Sequence, residues 1–273
     1  MTTIGLINPG QMGASVGEAL TSLGHEVLWA SAGRSSETKE RAKAAGCIDA
    51  KATSALASTS DVILSICPPH AAVDVARDIA GDFRGLFVDF NAISPARARE
   101  VATTITEHGA TYVDGGIIGG PASPSLYVSG PEAGEAQALF ESSDRLRCVD
   151  LGDSPTAASS LKMCFASYTK GQAALLVAIR GLALSLGVED ALLEEWDESM
   201  GDLRSRSDAS VLGVLPKAWR FEGEMEEIAD TFLAEELPDG FHRAAAEIYR
   251  RLKDYKGSSA EAVEDVLRKL IEG

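Results

Sequence analysis

Apolar positions in the first half of the chain come in short blocks separated by helical spacing. The block at 3–7, Thr-Ile-Gly-Leu-Ile, suits a strand buried on both faces. Comparable blocks at 26–30, 61–66, 86–89, 112–116, 125–129 and 147–151 predict further strands. Between the first two, Val16, Ala19, Leu20 and Leu23 recur on one helical face. Ser94 followed by Pro95 marks another helix start, a capping hydroxyl and then a residue with no N–H to satisfy. Alternating strands and helices predict an α/β fold with a Rossmann-type, doubly wound sheet.

The pattern changes at 155. Ser154 and Pro155 again read as a helix start, with the serine as cap. Residues 173–186 carry one charge, Arg180, and are apolar almost all round, which predicts a helix buried by other helices. Arg180 and the small polar residues argue against a membrane span of roughly 20 apolar residues. Beyond Gly187 only helical signals follow: 188–200, 212–221, 222–229, a turn at 237–240, and a helix at 241–255. Gly257, Ser258 and Ser259 are expected to cap a last amphipathic helix carrying Val263, Val266, Leu267, Leu270 and Ile271. The expected domains are therefore 1–154, α/β, and 155–273, all-helical, joined by a long interdomain helix.

Composition narrows the function classes. With 273 residues, 45% of them apolar, the chain has material for one large core or two ordinary ones. The net charge is −16 and no lysine- or arginine-rich run occurs, which argues against nucleic acid as a partner. No charged-then-apolar leader and no second long apolar segment suggest secretion or a membrane. Cys47, Cys67, Cys148 and Cys164 are far apart and read as buried thiols of a cytoplasmic protein. The cysteines and the four histidines lack metal-ligand spacing, so no metal is expected.

The candidate chemistry begins at Asn8-Pro9-Gly10-Gln11-Met12-Gly13, a turn between a strand and a helix. A dinucleotide pyrophosphate would sit there on the N–H groups that open the helix. Asn8 tolerates a left-handed turn, Gly10 lets the backbone approach phosphate, and Gly13 and Gly17 permit close helix–strand packing. After the second strand, Ala30-Ser31-Ala32-Gly33-Arg34-Ser35-Ser36 has no acid before Glu37. Arg34 with Ser31 and Ser35 suits a 2′-phosphate, so the expected cofactor is NADP(H). Loops at 67–70 (Cys67, Pro68, Pro69, His70), 91–94 (from Asn91) and 117–121 follow later strands, where ligands of open α/β sheets gather.

In the second half, the acids at 194–198 and 222–227 read as solvated helix faces, although Glu224 and Glu227 share a face. His242 near a helix start is either a site residue or a structural histidine. Hydride transfer from an alcohol needs a base for the hydroxyl proton, and the reverse reaction needs an acid. A lysine beside a cationic nicotinamide suits either task. Lys162 and Lys170 are the candidates, with Ala166 between them at i, i+4 and i+8 spacing on one helical face.

Taken together, these motifs resemble the β-hydroxyacid dehydrogenase superfamily, which includes 6-phosphogluconate dehydrogenase and the imine reductases. The resemblance covers the whole chain. It runs through Asn8–Gly13, Cys67–His70, Asp89–Ser94, Asp114–Gly120 and Lys162. Lys162–Gly171 and Arg220–Ala229 look like the branch of phosphogluconate-dehydrogenase-like proteins with a short helical C-terminal domain. The resemblance implies an NADP(H)-dependent oxidoreductase for a small, carboxylate-bearing β-hydroxy acid or the matching carbonyl compound. Lys162 would be the general acid/base, with Asn91, Gly119 and Gly120 positioning substrate, and Ala166, Lys170 and His242 beside it. Ile118 stands where the family has a carboxylate-binding serine, and Ala166 where it has a substrate-contacting asparagine. Imine reduction is the alternative; a non-catalytic NADPH-binding sensor is the second. A homodimer is expected through the helical domain, burying 173–186, with Arg220, Glu224 or His242 acting across the interface.

Overall fold

The computed structural model describes residues 1–256 and 262–272, so the cap assigned to Gly257, Ser258 and Ser259 lies outside the described residues. The chain divides into two compact units, Met1–Met163 and Cys164–Gly273. This division falls inside a helix rather than ahead of it at 154.

The first unit is built on one eight-stranded sheet. Its strands are β1 (Thr3–Ile7), β2 (Glu26–Trp29), β3 (Ile48–Asp49), β4 (Val62–Ser65), β5 (Leu86–Asp89), β6 (Thr111–Ile118), β7 (Ser125–Ser129) and β8 (Arg147–Asp150). The order is β3-β2-β1-β4-β5-β6-β7-β8. All neighbours are parallel except β6 and β7. Helices α1 (Gln11–Ser22), α2 (Ser36–Ala44), α3 (Thr53–Thr59), α4 (Ala72–Ala80), α5 (Pro95–Thr106) and α6 (Ala133–Ala138) connect them.

Successive side chains of a strand point to opposite faces, and here both faces are apolar. Ile4, Leu6, Val62 and Leu64 join Val16, Ala19 and Leu20 of α1 and Ala133 and Ala136 of α6 in one core. Ile7, Ile63 and Phe87 join Leu56 of α3, Ile79 of α4 and Ile105 of α5 in the other. Each fully buried aliphatic side chain contributes about 1.5–3 kcal/mol. Because β1 pairs with β2 on one side and β4 on the other, the connection reverses there and leaves a crevice at the strand ends.

Most predicted strands are found within a residue or two. The exception is β6, which runs on to Ile118. Its antiparallel partner β7 pairs Leu126 with Ile117 and Ser125 with Ile118, so residues expected in a loop are drawn into the ladder. The two-residue β3 has too few apolar positions to announce itself.

Helix α7 (Ala157–Ser185, 29 residues) runs through the division between the units. It starts later than Ser154 and Pro155 suggest. Its first amides are capped from the sheet: Ala158 N–H donates to Ser129 Oγ at 3.0 Å and Ser159 N–H to Asp114 Oδ2 at 2.8 Å. Phe165, Tyr168, Leu175 and Leu182 along it and Leu186 just past its end are exposed, so the described helices of this chain leave one face of it open.

The second unit continues with α8 (Glu189–Ser199), α9 (Leu203–Val214), α10 (Ala218–Ala234), α11 (Gly240–Arg251) and α12 (Val263–Glu272). No strand occurs among its described residues. The expected helix over 212–221 is broken by a 3-10 turn at Leu215–Lys217, where Pro216 has no N–H to donate. Helix α9 lacks an apolar stripe because a charge anchors it. The Arg180 guanidinium, 5% exposed, reaches Ser207 Oγ at 2.7 Å, Asp208 at 2.6 Å and Glu189 at 2.8 Å. A buried cation is tolerated only when paired in this way. None of the described helices is long and apolar enough to cross a membrane.

Candidate functional site

The turn after β1 has the shape that its sequence implies. Asn8 has φ 63°, and its carbonyl accepts from Gly10 N–H at 2.7 Å. Its carboxamide reaches the Ile66 carbonyl at 3.3 Å and ties the turn to the end of β4. Gly13 is required by contact, since a Cβ there would stand 2.7 Å from the Asn8 carbonyl oxygen. Gly17 lets α1 lie on β1, with Leu6 Cδ2 3.0 Å from where a Cβ would be. Gly10 differs: a Cβ would find no protein atom nearer than 3.9 Å. Protein packing therefore does not require a glycine at 10. No side chain caps α1 and no acid stands in its first turn. Pro9 is buried, Met12 packs against the core and Gln11 is exposed. An uncapped helix N-terminus behind a bare backbone fits a dinucleotide pyrophosphate.

The segment after β2 borders this turn. Arg34 is exposed, and its Nη1 lies 3.4 Å from Asn8 Oδ1. With Asn8, Ala30, Thr53 and Val75 it lines a cavity of about 60 Å³. Ser35 caps α2, accepting from Thr38 N–H at 3.3 Å. Ser31 stands beside Asp49 at the end of β3. Lys51, donating at 2.7 Å, holds that carboxyl down at about 2, and a hydrogen bond from Ser31 adds to the effect. An acid is thus present at the edge of this segment, invisible in the linear order around Arg34, but it is paired with Lys51.

The loops after β4, β5 and β6 come together at the same end of the sheet. Asn91, expected to position substrate, spends its carboxamide within the protein. Its Oδ1 accepts from Cys67 N–H at 2.6 Å and its Nδ2 donates to Ser65 Oγ at 2.9 Å. It fixes the loop at Cys67, Pro68 and Pro69 to the end of β5. Burial pushes the Cys67 thiol up to about 12, so it stays neutral. His70 is exposed. Gly119 has φ 99° and Gly120 has open space around it. Ser15 Oγ of α1 donates to the Pro121 carbonyl at 2.6 Å and brings the loop after β6 beside the glycine turn.

Lys162 lies in the second turn of α7, half-buried, and its ammonium donates to the Ile117 carbonyl at 2.7 Å. It therefore sits at the carboxyl end of β6, two residues before Gly119. Gly116 allows this closeness: a Cβ there would stand 2.9 Å from the Ala158 carbonyl oxygen and 3.3 Å from Lys162 Cβ. Beneath these loops are two buried carboxyls absent from the expected site. Asp89 Oδ1 accepts from Asn91 N–H at 3.0 Å, and burial pushes its carboxyl up to about 7. Asp114 is pushed up to about 6, also by burial, against the pull of its donors from Ser159 and Ser129.

The remaining candidates belong to the second unit. Ala166 is buried. Lys170 is ion-paired with Glu224, their side chains 12% and 10% exposed, and lies 5.0 Å from the Phe221 ring centroid. Glu224 and Glu227 are buried rather than part of a solvated face. His242 is enclosed by Phe232 and Phe241, with ring centroids at 4.3 and 5.1 Å, and burial lowers its pKa. All four cysteines are free; Cys164 is exposed, contrary to expectation. No group of potential metal ligands occurs among the described residues.

Residues 3–134 match the NAD binding domain of 6-phosphogluconate dehydrogenase, and 183–252 match a domain of unknown function, DUF1932. An uncharacterized 28.5 kDa protein of Methanothermus fervidus is 33% identical over 170 residues, 62% of this chain and 66% of that protein. The mitochondrial 3-hydroxyisobutyrate dehydrogenase of Drosophila melanogaster is 30% identical over 48% of this chain and 42% of its own length. The matches thus span just under two thirds of the first of these curated relatives and under half of the second.

Among solved structures, a conserved protein of unknown function, itself noted for similarity with 3-hydroxyacid dehydrogenases, is 31% identical. It aligns over 93% of this chain and 97% of its own, with TM-score 0.67. The 3-hydroxyisobutyrate dehydrogenase of Mycobacterium tuberculosis, solved with L-serine, shares the fold at TM-score 0.74 and 20% identity over 99% of both chains. An imine reductase from Streptomyces aurantiacus does so at TM-score 0.55 and 18% identity over 99% of this chain and 98% of its own.

Proposed function

Because the chain belongs to the β-hydroxyacid dehydrogenase superfamily, in the branch joining a 6-phosphogluconate-dehydrogenase-type NAD-binding domain to a short helical one, we propose an activity for it within that NAD(P)-dependent oxidoreductase class. It is an NADP(H)-dependent enzyme acting on a small β-hydroxy acid or the matching carbonyl compound, with Lys162 as general acid/base. When bound, the nicotinamide dinucleotide accepts or supplies the hydride.

The protein's own groups do the rest. The backbone of 10–13 and the start of α1 hold the pyrophosphate, and Arg34 meets the 2′-phosphate of the adenosine ribose. The backbone of Gly119 and Gly120 receives the substrate carboxylate. Lys162, as the neutral amine, takes the hydroxyl proton during oxidation and, as the ammonium, returns it during reduction. The observation that carries this reading is the Lys162 ammonium on the Ile117 carbonyl, at the strand end that leads into Gly119. The preference for NADP(H) rests on Arg34 beside the turn and on Asp49 being paired with Lys51.

A screen of hydroxy acids, keto acids and imines with both cofactors, beginning with 3-hydroxyisobutyrate and L-serine, tests the substrate class. Lys162→Met then tests the role. Turnover should fall by about 10²–10⁴-fold, the usual worth of a positioned proton-transfer group, with NADPH affinity kept. Turnover within threefold of the native enzyme would refute it. Turnover of a cyclic imine but of no hydroxy acid would favour imine reduction, which Ile118 in place of the family's serine suggests. NADPH binding without any turnover would favour a sensor.

Assembly belongs to the same proposal. Phe165, Tyr168, Leu175 and Leu182 are exposed on α7 at separations of three, seven and seven residues, which places them on one helical face, and Leu186 just past its end is exposed too. A second copy of the helical domain, taken as 155–273, covers this face in a homodimer. The nucleotide-binding domain is taken as 1–154, and the four free thiols suit a cytoplasmic protein.

A further inference from the structure

We propose that Asp114 and Ser129 are positioning residues for Lys162, acting by capping α7 from the sheet; the proposal rests on the reading of Lys162 as the proton-transfer group. The two residues face each other across β6 and β7. Ser129 Oγ accepts from Ala158 N–H at 3.0 Å and donates to Asp114 Oδ2 at 3.1 Å. Asp114 Oδ2 accepts from Ser159 N–H at 2.8 Å, and its Oδ1 accepts from the Ser159 hydroxyl. Asp114, Ser129 and Ser159 are all buried, at most 1% exposed.

A helix leaves its first amides without partners, and a local serine or aspartate usually supplies them. A local cap closes the helix but moves with it. A cap fixed in the sheet instead sets the helix's rotation and its height against β6. Ser159 and Lys162 are three residues apart, on one face of α7, so what holds the first also aims the second. On the strand the same order recurs. Asp114 grips Ser159, Gly116 admits the helix backbone, and the Ile117 carbonyl receives the Lys162 ammonium. Burying a carboxyl for this purpose is costly, which burial's upward push on Asp114 reflects. A helix needing only closure would not require it.

The test uses Ser129→Ala, Ser159→Ala and Asp114→Asn in the full chain, with Lys162→Met for reference. Hydrogen exchange of the 157–163 segment should quicken in the first three variants. At equal folded fraction and equal NADPH affinity, the rate at which an N-hydroxysuccinimide ester labels Lys162 should change by threefold or more. With 3-hydroxyisobutyrate and NADP⁺, kcat should fall roughly 10–100-fold while the KM for NADP⁺ stays put, because a displacement of about 1 Å costs on that order. Unchanged labelling and kcat within twofold in Ser129→Ala and Asp114→Asn, while Lys162→Met is inactive, would overturn the positioning role and leave the catalytic one. If Lys162→Met itself keeps turnover, the catalytic reading fails and the labelling rate alone decides the positioning. A variant that does not fold is replaced by Ser159→Ala, which removes one hydroxyl and leaves the amide cap.

Discussion

Replacing Asp89 with asparagine should stabilise the protein, and the gain should grow with pH. The Asp89 carboxyl is 1% exposed and burial raises it from 3.8 to about 7, with Asp114 on the neighbouring strand adding to the rise. A group that holds its proton more tightly when folded costs stability wherever the unfolded chain has already ionised. Below pH 3.8 both states are protonated and nothing is lost. Between 3.8 and 7 only the unfolded chain is ionised, so stability falls as pH rises, and the loss is complete above the folded value. At ~1.4 kcal/mol per pH unit, the full loss is about 4 kcal/mol. Between pH 5 and pH 8 it amounts to roughly 2–3 kcal/mol. Asparagine keeps an oxygen for the Asn91 N–H that Asp89 accepts at 3.0 Å, and it never ionises.

Urea unfolding of wild type and Asp89→Asn at pH 5, 6.5 and 8 reads this directly. Any fixed difference in packing cancels between pH values, and an unchanged dependence on urea would certify that the denatured state is the same. The gap should widen by roughly 2–3 kcal/mol from pH 5 to pH 8. A gap that stays constant, or narrows, would show that Asp89 is ionised in the folded protein at neutral pH.

Gly10→Ala should leave thermal stability within a degree or two but weaken NADPH binding, because its Cβ meets only the space assigned to pyrophosphate. Gly13→Ala should do both kinds of damage, losing about 1–3 kcal/mol of stability, since its Cβ meets the Asn8 carbonyl oxygen. Arg34→Ala should cut the preference for NADPH over NADH about tenfold, the worth of one charge-assisted contact, by fluorescence titration. Lys170→Met should lower stability in denaturant by removing the ion pair that Lys170 makes with the buried Glu224. Leu182→Glu should yield a monomer by light scattering at micromolar concentration, with the fold intact by circular dichroism.

The strands of the first unit were legible because a sheet covered on both faces leaves uninterrupted apolar blocks. The turn at 8–13 was legible for a different reason: everything that makes it lies within a few residues of chain. Asn8 at positive φ and Gly13 against the Asn8 carbonyl need no distant partner to be recognised. Helix α9 was missed because it is fastened by polar contacts from Arg180, and a helix held that way carries no apolar stripe. The end of β6 is hidden in the sequence because Gly115 and Gly116 interrupt its apolar run, and antiparallel pairing with β7 carries the strand on through Ile117 and Ile118.

The residues around Lys162 divide along the same line. Lys162 itself was found through a family pattern, and nothing in its flanking sequence distinguishes it from Lys170. The structure separates the two by partners far away in the chain. Lys162 meets a carbonyl 45 residues before it, at a strand end, whereas Lys170 meets a carboxylate 54 residues after it and is enclosed. Ser154 looked like the cap of α7 because sequence offers only local caps. The acceptors chosen instead are 29 and 45 residues upstream, on strands that must already be paired before they can act. A helix whose start is written into the sheet cannot shift its register without breaking the sheet's own contacts. A lysine one turn further along is therefore placed by tertiary structure, which the proposed proton transfer over hydrogen-bond distances requires.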